Sequence, residues 1–354
     1  MPGPPPIVTK HTQRVREPLR HRGEGRARAF ETRHAVSMST AAETDDALAR
    51  EVAQVAWGRH DKLSAVHVGL NRLTWKVGPD LWLTGIDEDR AEILRRENAL
   101  LREVRAACVS ADLRIDIPKV VPSLEDEHVV RHGGRSFRAT AHIAGVRPDD
   151  DRVDTFVGSM RALRRLHRVL RDLPSDLAVL DPPLPEIRRM LTRSLAGHWD
   201  PVTNDAAERA LVTKVAEWLI PRLARLEEAP TQLVHGDWAT PNLLVDAPGG
   251  SEVVAVLDWQ LCSVGPVITD IAHAVSGALM WSQLVVEPVV DSMFAEYGAD
   301  ADRQLLGPAM AAYWLRNYWW ARDELGRDER HRAAMDRQPG RLRSVMDYVE
   351  SLGD

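Results

Sequence analysis

The sequence predicts a two-lobed α+β protein: a small antiparallel sheet lobe with one main helix, followed by a mostly helical lobe. Three observations carry that expectation. The chain has 354 residues, 44% hydrophobic and 28% charged, which suffices for two domains or one large bilobal one. Short segments of β character fill the stretch from Lys62 to Ile143. Beyond Ala144 the apolar spacing turns helical, and a single polar loop between short strands interrupts it.

Taken in order, the first 37 residues are rich in Pro, Arg and His without apolar periodicity, and such a segment cannot bury enough surface to order itself. Residues 1–37 are therefore expected to be a disordered basic leader. Met38, followed by Ser39-Thr40-Ala41 and a helix-like run from Asp45 to Trp57, is an alternative start to Met1. The small lobe is expected over residues 38–143. Its strands are Lys62 to Val68, Leu73 to Val77 and Leu81 to Thr84, separated by turns at Gly69-Leu70-Asn71 and Gly78-Pro79-Asp80. A helix from about Asp89 to Ala107 follows, with Ile93, Leu94, Leu100, Leu101 and Val104 at helical spacing. Segments at Val120 to Val121, Glu127 to Arg131 and Phe137 to Ile143 complete a sheet expected to have five strands. The large lobe is expected over residues 144–354, opening with Asp149, Asp150 and Asp151 as caps for a long amphipathic helix through Leu170. Helices are also expected at Ile268 to Leu279, Gln283 to Tyr297, Arg303 to Leu325 and Asp328 to Leu352, with Trp281, Trp314, Trp319 and Trp320 filling their core.

Composition excludes several function classes. Two cysteines, Cys108 and Cys262, make neither a disulfide framework nor a cysteine zinc site, so a reducing cytoplasm is the expected compartment. The apolar stretch from Ala274 to Val289 is broken by Ser276, Gly277, Ser282 and Gln283 and falls short of the roughly 20 residues of a membrane helix. No membrane partner is expected. The net charge of −6 is unevenly spread: residues 1–37 hold eight Lys or Arg against three Glu, which leaves −11 on the body. An acidic body argues against nucleic acid as a ligand and leans toward a cationic small substrate, although acidity also serves solubility.

The chemistry-bearing residues sit in the one non-helical stretch of the large lobe. Leu233-Val234 and Leu243 to Val245 flank His235-Gly236-Asp237-Trp238-Ala239-Thr240-Pro241-Asn242, and the strand Val253 to Leu257 runs into Asp258-Trp259. Phosphoryl transfer asks for a carboxylate near the attacking hydroxyl and for oxygen ligands that hold Mg²⁺ on the phosphates. Asp237, Asn242 and Asp258 are such oxygens. Protein kinases use the same order, an Asp, four intervening residues, an Asn, and a second Asp after the next strand. An isolated His-Gly-Asp triplet also suits a plain turn, but Asn242, the flanking strands, Asp258 and Asp270-Ile271-Ala272 together do not. A metal-hydrolase site lacks its second histidine cluster: His60, His67, His128, His132, His142, His167, His198 and His273 show no ligand spacing.

The run HGDWATPN, then VLDW, then Asp270-Ile271-Ala272 resembles the aminoglycoside phosphotransferase and choline kinase-like family. Ala162-Leu163-Arg164-Arg165-Leu166-His167 is similar to that family's A-L-x-x-L-H helix, and Gly69 to Leu83 with Arg96-Glu97-Asn98 resembles its small-lobe hairpin, strand and helix. The resemblance covers roughly residues 50–325 and implies a bilobal protein-kinase-like fold. It further implies an ATP- or GTP-dependent and Mg²⁺-dependent phosphotransferase acting on a hydroxyl of a small molecule. Asp237 would be the catalytic carboxylate, Asn242 and Asp258 the Mg²⁺ ligands, and His235 and Asp270 the supports of the loop. Thr140, Ala141, His142 and Ile143 would meet the nucleotide base between the lobes. A protein-kinase assignment lacks H-R-D, D-F-G, A-P-E and room for an activation loop.

One position departs from the family's pattern. Its third small-lobe strand usually carries a Lys or Arg that pairs with the phosphates and with a helix glutamate; here Thr84 stands there, while the glutamate, Glu97, is present. Either Lys76, Arg72 or Arg95 supplies the charge, or the chain is a catalytically weak or inactive nucleotide-binding protein on a kinase scaffold.

Overall fold

The structure, a computed structural model, describes residues 31–66, 72–198, 205–281, 286–323 and 332–352. The chain divides into two units, residues 1–44 and residues 45–354. Of the basic leader, the part up to Phe30 lies outside the described residues, as does the turn expected at Gly69 to Asn71. From Glu31 the backbone is helical, in α1 (Glu31–Trp57), so the helix begins earlier than the pattern after Asp45 suggested.

The second unit opens with a sheet. Its strands are β1 (Leu63–Ala65), β2 (Leu73–Val77) and β3 (Leu81–Asp87), then, after helix α2 (Ala91–Ser110), β4 (Val120–Val121), β5 (Val130–His132) and β6 (Arg135–Ala141). All pairings are antiparallel, in the order β1-β2-β3-β6-β4, with β5 also on β6. Among the described residues the sheet has six strands where five were expected, because β4 and β5 share one edge of β6 in tandem. Val120 and Val121 face Thr140 and Ala139, while Val130 to His132 face Phe137 to Arg135. Gly78, at φ +61°, turns β2 into β3. Ala49, Val52, Ala53 and Trp57 of α1 pack with Trp75, Val77, Leu83 and Phe137 of the sheet.

The helical part follows as α3 (Val153–Arg171), α4 (Pro183–Leu195) and α5 (Ala206–Glu228). Then come β7 (Thr231–Val234), β8 (Leu243–Val245), β9 (Val253–Val256) and β10 (Ser263–Pro266), before α6 (Ile268–Trp281), α7 (Val286–Tyr297), α8 (Leu306–Asp323) and α9 (Arg332–Ser351). Helix α3 buries Phe156, Met160, Leu163, Leu166, His167 and Leu170 at spacings of three and four, and exposes Arg161, Arg165 and Arg168. Its entry corrects one expectation. The N-cap is Arg152, with no side-chain cap bond, and Asp149 instead accepts the Asp151 N–H at 3.0 Å, so the three aspartates form a turn before the helix. The strands flanking the polar loop do not pair with each other. β7 pairs with β10 and β8 with β9, which spreads the loop between two separate two-stranded ribbons. Among the described residues no helix is long and apolar enough to cross a membrane.

Candidate active site

The loop between β7 and β8 is tied down from below. Asp270, fully buried at the start of α6, accepts the backbone N–H groups of His235 and Gly236, both at 2.8 Å, and meets His167 Nε2 at 2.9 Å. Burial would push this carboxyl up, but the His167 hydrogen bond and charge, together with the Gly236 N–H, outweigh it and hold the group below its usual range. His167 Nδ1 in turn lies 2.8 Å from the Tyr297 hydroxyl. Gly236 sits at φ +80°, and a Cβ there would lie 2.1 Å from the Leu261 carbonyl oxygen, so only glycine fits. His235 accepts the Asp237 N–H on Nδ1 at 3.2 Å and, with its proton on Nε2, donates to the Leu257 carbonyl at 2.9 Å. The two expected supports therefore both act on the backbone of the loop.

Above this base, Asn242 Nδ2 donates to the carbonyl of Asp237 at 2.9 Å and to its Oδ2 at 2.7 Å. Leu257 N–H donates to the Asn242 carbonyl at 2.8 Å, which brings the end of β9 alongside the loop. Asp258, next in the chain, has left-handed backbone angles, φ 56° and ψ 68°, an unusual conformation for a residue with a side chain. Its carboxyl is pushed up to about 7, first by enclosure in protein and then by the charge of Asp237, with Arg72 and Arg138 pulling the other way.

In the sheet lobe Glu97, on α2 and 2% exposed, meets two guanidinium groups. Arg72 Nη1 donates to Oε2 at 2.5 Å and Arg138 Nη2 to Oε1 at 3.0 Å. Both arginines hold the Glu97 carboxyl down at about 2 against burial, the largest influence, which opposes them. Of the three cations named from the sequence only Arg72 reaches Glu97. Lys76 lies over the Trp82 ring, 5.9 Å from its centroid, and Arg95 pairs with Glu92 at 3.2 Å. Arg138 went unrecognised in the sequence. Thr84 is buried on β3, directly opposite Arg138 on β6. At the end of β6 the N–H groups of Ala141 and His142 donate to the carbonyls of Lys119 and Asp80, both at 2.8 Å. Trp82 Nε1 donates to His142 Nδ1 at 3.0 Å.

A cavity of about 640 Å³ joins these parts. Thr84, Glu97, Thr140, Ala141, His142, Ile143, Asp237, Asn242 and Asp258 all line it, so residues chosen from distant stretches share one space. His235 and Asp270 stand behind the loop instead.

The sequence model of the phosphotransferase enzyme family matches residues 62–311, well over half of the chain. The chain belongs to this family. Among curated proteins, human acyl-CoA dehydrogenase family member 11 is 24% identical over 191 residues, 51% of this chain and 23% of that protein, so the chain spans about a quarter of that relative's length. Among solved structures, the GDP complex of an aminoglycoside 2′-phosphotransferase-IIIa is similar with a TM-score of 0.62 at 13% identity, covering 81% of this chain and 93% of the other. An amicoumacin kinase in complex with AMP-PNP and Ca²⁺ gives 0.62 at 14% identity, covering 86% and 95%. At such identities the likeness shows the fold, which is the bilobal α+β architecture of kinase-like phosphotransferases.

The cavity of this phosphotransferase-family chain also holds groups that sequence reasoning passed over. His273 Nε2, on α6, lies 3.2 Å from Asp237 Oδ1 and 2.5 Å from the Tyr313 hydroxyl, which itself reaches Asp237 Oδ1 at 3.5 Å. Burial pushes His273 down, so the imidazole is neutral, and pushes the Tyr313 hydroxyl well up. Helical spacing gave no reason to separate His273 from core residues; only its pairing with Asp237 does. Trp314, buried in the core as expected, and Trp320 also line the cavity, with Arg341 over the Trp314 ring at 5.7 Å from its centroid. The described residues of this helical wall bring arginines, Arg316 and Arg341, rather than carboxylates, which lends no support to the cationic substrate suggested by the acidic body.

Proposed function

We propose that the chain is a small-molecule kinase that moves the γ-phosphate of ATP or GTP to a hydroxyl of a small acceptor. The nucleotide would be held by a lobe of residues 38–143 and the acceptor against a lobe of residues 144–354. The observation that carries this reading is the shared cavity, in which the Asn242-held Asp237 carboxylate, Asp258 and the Glu97 arginine cluster all open onto one space.

Asn242 occupies Asp237 Oδ2, so Oδ1, beside His273 and Tyr313, is the atom that would orient an acceptor hydroxyl and take its proton. The acceptor oxygen would bond to the γ-phosphorus as the bridging oxygen to the β-phosphate leaves. Trp82 and His142, with ring centroids 6.3 Å apart, offer a surface for the base. Asn242 and Asp258 would hold Mg²⁺: the donors are oxygens, and Asp258 is raised by burial and then by the neighbouring charge of Asp237, a repulsion that a hard divalent cation relieves. When bound, that ion would neutralise charge on the phosphates.

Nucleotide consumption with a panel of hydroxyl compounds, run beside Asp237→Ala, tests the reading. Turnover should fall about 10²- to 10⁴-fold while nucleotide affinity stays nearly intact. Retention of more than about a tenth of wild-type turnover would remove Asp237 from this role. Thr84 favours a second reading, a nucleotide-binding protein without transfer; it predicts wild-type binding with no consumption alongside any compound in the panel.

A further inference from the structure

Two full positive charges converge on one negative charge at Glu97. Arg138 is 5% exposed and donates Nη2 to Glu97 and Nη1 to Asn98 Oδ1, the latter at 3.2 Å, while its Nε has no partner among the described residues. Arg72, with its side chain 9% exposed, gives Nη1 to Glu97, and its Nη2 likewise has no partner among the described residues. Against Glu97 alone the cluster carries one positive charge in excess, which the Asp258 carboxyl also feels, and two buried N–H donors without acceptors among the described residues, each costly in a protein interior. Both arginines line the cavity that also contains Asp237 and Asp258. An anion rich in oxygens would complete the arginine side, and guanidinium groups suit phosphate because their planar forks donate to two oxygens at once.

We propose that Arg138, with Arg72 beside it, is the clamp for the nucleotide phosphates, held on β6 opposite the threonine of β3. The proposal rests on the phosphotransferase reading and deepens it. Antiparallel register gives the geometric reason. Thr84 and Arg138 are directly opposed, and opposed side chains rise from the same face of a sheet about 5 Å apart, so a long side chain on β6 reaches the space that one on β3 would fill. Glu97 fixes both guanidinium groups, and each keeps one enclosed N–H, Arg138 Nε and Arg72 Nη2, without an acceptor among the described residues. Thr84, short and buried beside Arg138, leaves room for the guanidinium.

The test is calorimetric titration with ATP and with GTP in the presence of Mg²⁺, and with adenosine and guanosine as probes without phosphates. It compares the wild type with Arg138→Met, Arg72→Met and the double variant Thr84→Lys/Arg138→Met, each checked for cooperative thermal unfolding. Removing either arginine should weaken triphosphate binding by at least about tenfold and leave nucleoside binding unchanged. The double variant should regain most of the lost affinity, because a lysine on β3 returns a cation to the same space. Wild-type triphosphate affinity in Arg138→Met would overturn the clamp and leave the phosphotransferase reading standing. Equal loss of nucleoside and triphosphate binding would also overturn it, since Arg138 would then only support the lobe. A wild type that binds none of the four probes would instead overturn the phosphotransferase reading.

Discussion

Asp270 under the Asp237 loop and Glu97 on α2 are both buried carboxylates held below their ordinary range, yet they are satisfied in different ways. Asp270 collects two backbone N–H groups of the loop and the His167 imidazole. Glu97 collects two formal charges, Arg72 and Arg138. The first arrangement commits the carboxylate to the shape of a loop. The second leaves a positive excess and unused donors beside the cavity, which suits a site completed by an anion. A carboxylate spent on backbone N–H groups is thus a fastening, and one that leaves cations with unused donors is half of a binding site.

The largest effect that would sharpen this contrast belongs to Glu97→Ala, which strands two buried guanidinium groups and should cost about 3–5 kcal/mol in denaturant unfolding. A loss under about 1 kcal/mol would mean that the cluster behaves as a solvated surface pair and would break the comparison. The pair also has a pH signature. Because the Glu97 carboxyl lies at about 2 when folded against an ordinary 4.5, its stabilisation is complete above pH 4.5 and is lost as pH falls toward 2. Glu97→Gln should remove that part of the acid dependence, measured as the difference between the two unfolding free energies across the window. Asp270→Asn comes next: it replaces an acceptor facing the loop N–H groups with a donor and should cost about 1–3 kcal/mol, together with turnover. A variant with unchanged turnover would show that the loop keeps its shape without Asp270. Tyr297→Phe, which removes only the hydroxyl 2.8 Å from His167, should cost about 0.5–1.5 kcal/mol in the same assay.

The two regions also differ in how far they could be read in advance. Asp237 and Asn242 are five residues apart, and their hydrogen bonds follow from that short spacing and a local turn, so the motif was visible as a string. β2 ran from Leu73 to Val77 as its alternation and flanking turn indicated. By contrast, Arg138 lies 41 residues from Glu97 and His273 lies 36 from Asp237, and nothing in the periodicity of either segment marks the pairing. The tandem placement of β4 and β5 on one edge of β6 was equally invisible, since it depends on which edge each short segment finds.

By itself the sequence determined the two-lobed order of elements and the oxygen-bearing loop, because each depends on contacts between near neighbours along the backbone. Only the tertiary structure decided which cation meets Glu97, that Trp314 and Trp320 face a cavity, and that a neutral histidine and a tyrosine flank Asp237. Those outcomes depend on strand register and on the packing of α6, α8 and β6. There a shift of one residue moves a side chain to the opposite face of a strand.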